Sequence, residues 1–328
     1  MNINALFEQF SGKKIAVVGD VMLDAYLRGG VFRVSPEAPV PIVSLEKQED
    51  RLGGAANVAL NLVSLGAKAI ICSVIGKDKD GNRLVDLLAE QGISSEGIVQ
   101  SENRQTTVKT RVIGNNQQLL RIDAEQTDDI NSTEENQIIA KIQHLIAQGI
   151  DALIFEDYNK GVLTQNVIEK IIQLCQENQV VTTVDPKKTN FLAYKGVTLF
   201  KPNLKELKEG LDVHFSIENR SDFEDAVRQL EQILQNEITF ITLSEHGVFI
   251  KNEADKFYIP AHLRNIADVS GAGDTVISVA TLCLTLGLPI SEIAEIANLA
   301  GGLVCEKSGV VSIELPQLKA ELTKIKTN

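Results

Sequence analysis

The sequence predicts an α/β fold: a mostly parallel central sheet with helices on both faces, and a small β-sheet projecting from it as a lid. Three observations carry this. From residue 132 onward, short apolar runs alternate with stretches of helical spacing, as in parallel βαβ units. Apolar residues make up 44% and aromatics only 5%, a balance that suits aliphatic helices layered on a sheet. Two regions, about 26–46 and 104–123, break the alternation with prolines and with a glycine-asparagine turn.

Residues 14–18 form a continuous apolar run ending in Gly19-Asp20, a buried strand that delivers a carboxylate at its carboxyl end. Pro36, Pro39 and Pro41 then precede a short run at 42–45, as expected of edge strands and loops. The spacing predicts a helix over 53–65 stopped by Gly66, a strand over 69–75 and a helix over 80–91 closed by Gly92. Runs 106–113 and 117–122 join through Gly114-Asn115-Asn116 as a hairpin. Next come a helix at 134–147 and strands at 152–155, 180–184, 197–200 and 238–243, each strand following a helical stretch. A late hairpin (248–251 and 256–259) and three helices (274–286, 291–306 and about 315–325) complete a single expected domain, 1–328.

The net charge of −12 argues against nucleic acid or an anionic membrane as partner, and makes any phosphorylated ligand depend on local basic groups or backbone amides. Four scattered cysteines without a C-x-x-C spacing read as reduced thiols, and four dispersed histidines suggest no zinc site. The first ten residues lack a basic, apolar leader, and the most apolar window, 276–290, is too short to span a bilayer. A cytoplasmic protein without membrane insertion is expected.

The chemistry concentrates at Asp268-Val269-Ser270-Gly271-Ala272-Gly273-Asp274, which runs directly into an apolar helix. Glycines at a helix N-terminus present unpaired N–H groups and the positive end of the macrodipole to an anion. A carboxylate beside that anion hole, Asp274, makes sense as a base removing a proton while the hole holds developing charge. That is the logic of phosphoryl transfer to a hydroxyl. An ordinary helix-capping turn accounts for these residues alone equally well. A dinucleotide fingerprint fails at its third glycine, where Val276 stands, and no P-loop pattern occurs. Five predicted strand ends are polar and could face one crevice: Gly19-Asp20, Glu156-Asp157, Asp185-Pro186-Lys187, Lys201-Pro202-Asn203 and Ser244-Glu245.

With the early Gly53-Gly54-Ala55-Ala56-Asn57 and the late 268–274 stretch in this order, the chain resembles the ribokinase (PfkB) family of sugar kinases over essentially its whole length. The stretches 35–41, 53–58 and 116–119, Asp157-Tyr158 with Lys160-Gly161, and Asp185-Pro186-Lys187 resemble the family's heptose-7-phosphate kinases, which make the 1,7-bisphosphate for the ADP-heptose of lipopolysaccharide. The resemblance implies a ribokinase-like three-layer sandwich and an ATP- and Mg²⁺-dependent kinase of a small sugar phosphate. It implies Asp274 as catalytic base and the amides of Gly271, Ala272 and Gly273 as anion hole. Asp20, Gly53, Gly54 and Asn57 match sugar-binding positions, with Asp24 beside them, and Asp157 belongs to the same substrate set. Asn203 and Glu206 match the motif that places Mg²⁺ and the phosphates through water. Thr242, Ser244 and Gly247 match the loop over the nucleotide phosphates, and Asn298 the adenine pocket. Asp268 and Ser270 are candidates for a monovalent cation, K⁺.

The chain departs from the resemblance in three places: Ser270 replaces a threonine, Glu156 a serine and Val310 a threonine. The heptose enzymes that are bifunctional carry a nucleotidyltransferase domain, which the chain to Asn328 does not include, so a separate adenylyltransferase is expected. A kinase of another sugar or nucleoside is the alternative. A catalytically silent sugar-phosphate sensor is disfavoured by Asp274 and the glycines, and an oxidoreductase by the missing glycine. The carboxylates Asp20, Asp24 and Asp274 would repel a distal phosphate, so basic groups should gather away from them. Lys109 and Arg111 share one strand face with Arg121 opposite, and Arg111 is the expected first contact; Lys160 and Lys187 are the rivals. An exposed lid with apolar faces predicts a twofold homodimer.

Overall fold

The computed structural model describes residues 3–262 and 264–327. In chain order the elements are α1 (Ile3–Phe10), β1 (Lys14–Gly19), β2 (Val21–Val34), β3 (Pro41–Gly54), α2 (Ala55–Ser64), β4 (Lys68–Gly76), α3 (Lys79–Glu90) and β5 (Ser94–Ser101). There follow β6 (Val108–Gly114), β7 (Gln117–Ala124), α4 (Ser132–Ala147), β8 (Ala152–Glu156), α5 (Gln165–Glu177), β9 (Val181–Asp185), β10 (Leu199–Phe200), α6 (Leu204–Leu211) and α7 (Arg220–Leu234). The chain ends with β11 (Ile238–Thr242), β12 (Val248–Lys251), β13 (Lys256–Ile259), α8 (Ala272–Thr285), α9 (Ile290–Cys305) and α10 (Leu315–Thr327).

The central sheet runs β13-β12-β11-β10-β9-β8-β1-β4-β5. It is parallel from β5 to β11, and the last two strands close it as an antiparallel hairpin. Apolar side chains of α1, α2, α3, α8, α9 and α10 pack on one face, and those of α4 to α7 on the other. Buried on both sides, β1 and β8 read as unbroken apolar runs instead of alternating ones. From β1 the chain goes to β4 on one side and later returns to β8 on the other. The crevice for a ligand therefore opens beyond the carboxyl ends of β1 and β8.

The lid is a second sheet of order β3-β2-β6-β7. It is larger than the sequence predicts. In place of short strands around the prolines, β2 and β3 are 14 residues each and pair antiparallel along most of their length. Pro41 is tolerated because it opens an edge strand, where its missing N–H breaks no ladder. The predicted helix from 53 starts instead at Ala55, because Gly53 and Gly54 finish β3. Gly54 has φ of 62°, and a Cβ there would stand 2.4 Å from the Asp20 carbonyl oxygen, so this junction admits only glycine. The 117–122 hairpin turns through Asn115 and Asn116, both at positive φ, while β6 runs parallel to β2. The sequence reading misses α1, the polar edge strand β5 and the division of the stretch before β11 into α6 and α7, and the strand expected over 197–200 shrinks to its last two residues.

Candidate active site

Asp274 lies in the first turn of α8, a helix started by Gly271 with φ of 79°. A Cβ on Gly271 would come within 3.1 Å of both Asn57 and Val310, so the glycine lets three segments meet. Asn57, in the first turn of α2, donates from Nδ2 to Asp274 Oδ2 at 2.5 Å. Tyr158 lies 3.3 and 3.4 Å from the two carboxylate oxygens through its hydroxyl. Behind them Asn61 donates to the Asn57 carbonyl and accepts from Thr275 and from the Ile313 amide, fixing α2 against α8. Burial holds the Asp274 carboxyl above its ordinary pKa, as does the Asp185 carboxylate, while the Asn57 amide and nearby lysines pull it back. A buried carboxylate with a raised pKa and a fixed orientation is a competent general base.

Three strand ends complete the floor. Glu156 ends β8, Asp185 ends β9, and each offers an oxygen within 4.8 Å of the other and of Asp274. Lys201, which follows β10, is buried and places Nζ 2.9 Å from Asp185 Oδ2. Lys187 reaches Glu206 at 3.0 Å and lies 5.5 Å from the centre of the Tyr158 ring. Burial opposes the charge on both lysines, yet the surrounding carboxylates hold them protonated, well above an ordinary lysine. Lys201 and Tyr158 are given no role in the sequence reading; the signal for Lys201 is its place at a predicted strand end, and for Tyr158 its place in the Asp157-Tyr158 pair that carries the resemblance.

Around this floor the other predicted residues divide. Asp24 and Asn57 line a cavity of about 400 Å³ together with Tyr26, Arg51, Arg83 and Val310. Gly53 packs against Asp24, since a Cβ there would lie 2.7 Å from Oδ2. Asn203 and Ser244 line another of about 910 Å³ with Lys188, Lys205, Lys208, His214 and Val269. Asn203 and Glu206 form a capping box on α6, each side chain accepting the other's amide N–H. Thr242 bridges to Asn203, and Gly247, φ 88°, closes the turn after Ser244. Asp268 accepts the N–H groups of Ser270 and Gly309, tying the loop before α8 to the loop after α9. Asn298 donates to the Pro260 carbonyl.

Asp20 and Asp157 do not present free carboxylates. Asp20 accepts the amides of Tyr158, Lys160 and Val162, and so moulds the loop after β8. Asp157 accepts from Asn159, Asn190 and Tyr194. Both are buried, which raises their pKa against those donors. The expectation that basic groups keep away from the carboxylates is also overturned. Arg111 Nη1 sits 2.5 Å from Asp24 Oδ1, Lys109 pairs with Asp123 and Glu125, and Lys160 pairs with Glu125. Arg111 and Arg121 are direct register partners, but Arg121 is turned to Asp123. In an acidic chain, unpaired cations find carboxylates on neighbouring strands.

The pfkB family carbohydrate kinase profile matches residues 12–318, and the chain belongs to that family. It is a carbohydrate kinase, a phosphotransferase acting on a sugar hydroxyl, of a family that uses ATP and a divalent metal. It is 41% identical over 95% of its length to bifunctional protein HldE of Desulfatibacillum aliphaticivorans, and 38% identical over 93% to that of Sulfurimonas denitrificans. It spans 64% and 63% of those two proteins, somewhat under two thirds. These relatives are named as bifunctional, so the expectation of a separate adenylyltransferase cannot rest on the position of Asn328.

The fold is that of phosphofructokinase-2 from Escherichia coli (TM-score 0.75, 18% identity, 95% of this chain and 99% of that one). Arabidopsis thaliana ribokinase, solved with ribose and ATP, shares it (TM-score 0.72, 14% identity, 95% and 99%). No helix among the described residues is long and apolar enough to cross a membrane.

Proposed function

We propose that this chain, as one kinase domain over 1–328, transfers the γ-phosphoryl group of ATP to the anomeric hydroxyl of D-glycero-D-manno-heptose 7-phosphate. The product would be the 1,7-bisphosphate used for ADP-heptose and the lipopolysaccharide core. The observation that carries this reading is the Asn57–Asp274 contact: Asn57 lines the cavity beside the lid and touches the base at the head of α8. Sugar hydroxyls held by Asp24 and Asn57 would bring the anomeric oxygen to Asp274, which takes its proton as the amides of Gly271, Ala272 and Gly273 receive the phosphoryl oxygens. Lys187 and Lys201 keep positive charge on the same side.

Asn203 and Glu206 offer hard oxygens suited to Mg²⁺. Both Glu206 oxygens already accept N–H donors, which leaves remaining lone pairs for the ion's waters and disfavours direct ligation. Bound there, the ion would neutralise charge on the phosphates. The nucleotide would occupy the cavity beside Asn203 and Ser244, with Thr242, Gly247 and Asn298 around it. K⁺ near Asp268 and Ser270 is part of this reading; a phosphofructokinase-2 structure of the same fold is titled as a complex with potassium. ADP formation from ATP, measured against a panel of sugar phosphates, sugars and nucleosides, tests the assignment. Preference for an unphosphorylated sugar or nucleoside selects the alternative, another kinase of the family.

The substrate's own phosphate is assigned to Arg51 and Arg83, which line the cavity and there pair with Glu49 and with Asp50 and Glu90, partners the phosphate would displace, while Arg111 orients Asp24. Arg51 and Arg111 flank the Tyr26 ring at 5.0 and 5.3 Å. Arg83→Ala is expected to raise KM for heptose 7-phosphate roughly tenfold, about 1.5–3 kcal/mol for a charge-assisted bond, with KM for ATP unchanged. If Arg111→Ala produces that split and Arg83→Ala does not, the phosphate belongs on the lid strand.

The lid also supports the twofold homodimer. Phe32 is 80% exposed; Val34, Leu45, Leu120 and Ile122 are also exposed on the same sheet, and Val40 in the connection between β2 and β3. Pairing two such faces removes apolar area that a monomer leaves in water. Phe32→Asp is expected to shift sedimentation from dimer to monomer at micromolar concentration; a wild-type protein already monomeric and fully active would rule the dimer out.

A further inference from the structure

We propose that in the enzyme without substrates Glu156, Asp185 and one oxygen of Asp274 form a carboxylate site that binds one divalent cation directly, apart from the water-linked Mg²⁺ position at Asn203 and Glu206, the other Asp274 oxygen being left to take the hydroxyl proton. The three side chains come from the ends of β8 and β9 and the first turn of α8, and their oxygens lie within 4.8 Å of one another. Opposite ligands on Mg²⁺ stand about 4.2 Å apart and neighbouring ones about 3 Å, so small side-chain adjustments close the shell.

The second observation is Glu156 itself. It is completely buried, and neither carboxylate oxygen accepts a hydrogen bond from any described residue. A buried carboxyl facing two others has to find a cation or a proton. The nearby cations are already committed: Lys201 to Asp185, and Lys187 mainly to Glu206. Fully ionised, the four carboxylates (Glu156, Asp185, Asp274, Glu206) exceed these two ammonium groups by two negative charges, the charge of one divalent ion. All three donors are hard oxygens with no histidine or cysteine among them, which selects Mg²⁺ or Mn²⁺ over zinc or copper. Gly273 leaves the approach open, since a Cβ there would stand 3.3 Å from Asp185 Oδ2 and 3.5 Å from Lys201 Nζ. An ion in this place lies against the N-terminus of α8, where phosphoryl oxygens arrive.

The test uses the full chain stripped with EDTA, without nucleotide or sugar, so that it stands or falls separately from the substrate assignment. Mn²⁺ is titrated and followed by electron paramagnetic resonance. One Mn²⁺ per chain is expected, displaced by Mg²⁺, with affinity at least tenfold weaker in Glu156→Gln and retained in Glu206→Gln. Thermal unfolding should rise with Mn²⁺ in the wild type and stay flat in Glu156→Gln. Glu156→Ser serves if the glutamine variant misfolds. Absence of nucleotide-free Mn²⁺ binding, unchanged affinity in both Glu156 variants, or loss in Glu206→Gln alone would overturn the site.

Discussion

Asp274→Asn is expected to bind ATP and sugar phosphate with near-normal affinity and to turn over about 10²–10⁴-fold more slowly, a barrier rise of about 2.7–5.4 kcal/mol. The geometry explains why the loss should fall on kcat. Asparagine can turn its carbonyl oxygen to Asn57 Nδ2 and keep the contact that joins α2 to α8, so the sugar cavity and the anion hole keep their shape. What disappears is the carboxylate in contact with Asn57 that accepts the hydroxyl proton. The variant should fold at least as well as the wild type, because one of three carboxylates crowded within 4.8 Å has become neutral. Steady-state kinetics and nucleotide binding by calorimetry separate the two effects. Near-wild-type turnover would falsify the role of Asp274; lost ATP binding with unchanged kcat would assign it to the nucleotide.

The motif at 268–274 was legible because it combines two local signals, glycines that permit positive φ and an apolar helix that follows at once. The parallel sheet was legible from the alternation, and with it the crevice, because every strand of a parallel sheet ends on the same edge. What the sequence could not show is which strand-end carboxylates remain free. Asp20 looks as available as Asp274 in the sequence, yet the loop after β8 folds back and spends three amides on it. The residues that decide this are 138 to 142 positions away, beyond any local pattern. The same holds for Arg111, whose partner Asp24 becomes a neighbour only because β6 runs parallel to β2. Glu156 stood out as a departure from related kinases, but its lack of a donor exists only in the packed core. The long strands β2 and β3 were hidden by prolines that turn out to lie in their connection and at an edge.

The packed core also makes Lys201 a residue whose loss should cost the fold heavily. Its side chain is 2% exposed and its ammonium lies 2.9 Å from Asp185 Oδ2. Asp185 in turn faces Glu156 and Asp274, with Lys187, 4.0 Å away, as the second cation among the described residues. Lys201→Met preserves the aliphatic stem and removes the charge, leaving a buried aspartate beside two other carboxylates. Breaking a buried pair from one side costs about 3–5 kcal/mol, far more than the pair contributes in net terms, because the remaining charge stays desolvated. That loss should appear in urea denaturation of the wild type and the variant. Adding Asp185→Asn to Lys201→Met should recover much of it, since the double variant no longer strands a charge. The pH dependence follows from the same pair. Burial disfavours the ammonium, but Asp185 and Glu206 outweigh it and raise the folded pKa above the ordinary lysine value of 10.5. A raised lysine pKa stabilises the fold fully below the unfolded value, and the contribution is lost as pH climbs through the folded one. The gap between wild type and Lys201→Met should therefore stay constant through neutral pH and narrow only in strong alkali. A gap under about 1 kcal/mol at neutral pH, in the range of an exposed pair, would show that Lys201 does not carry the charge balance of this site.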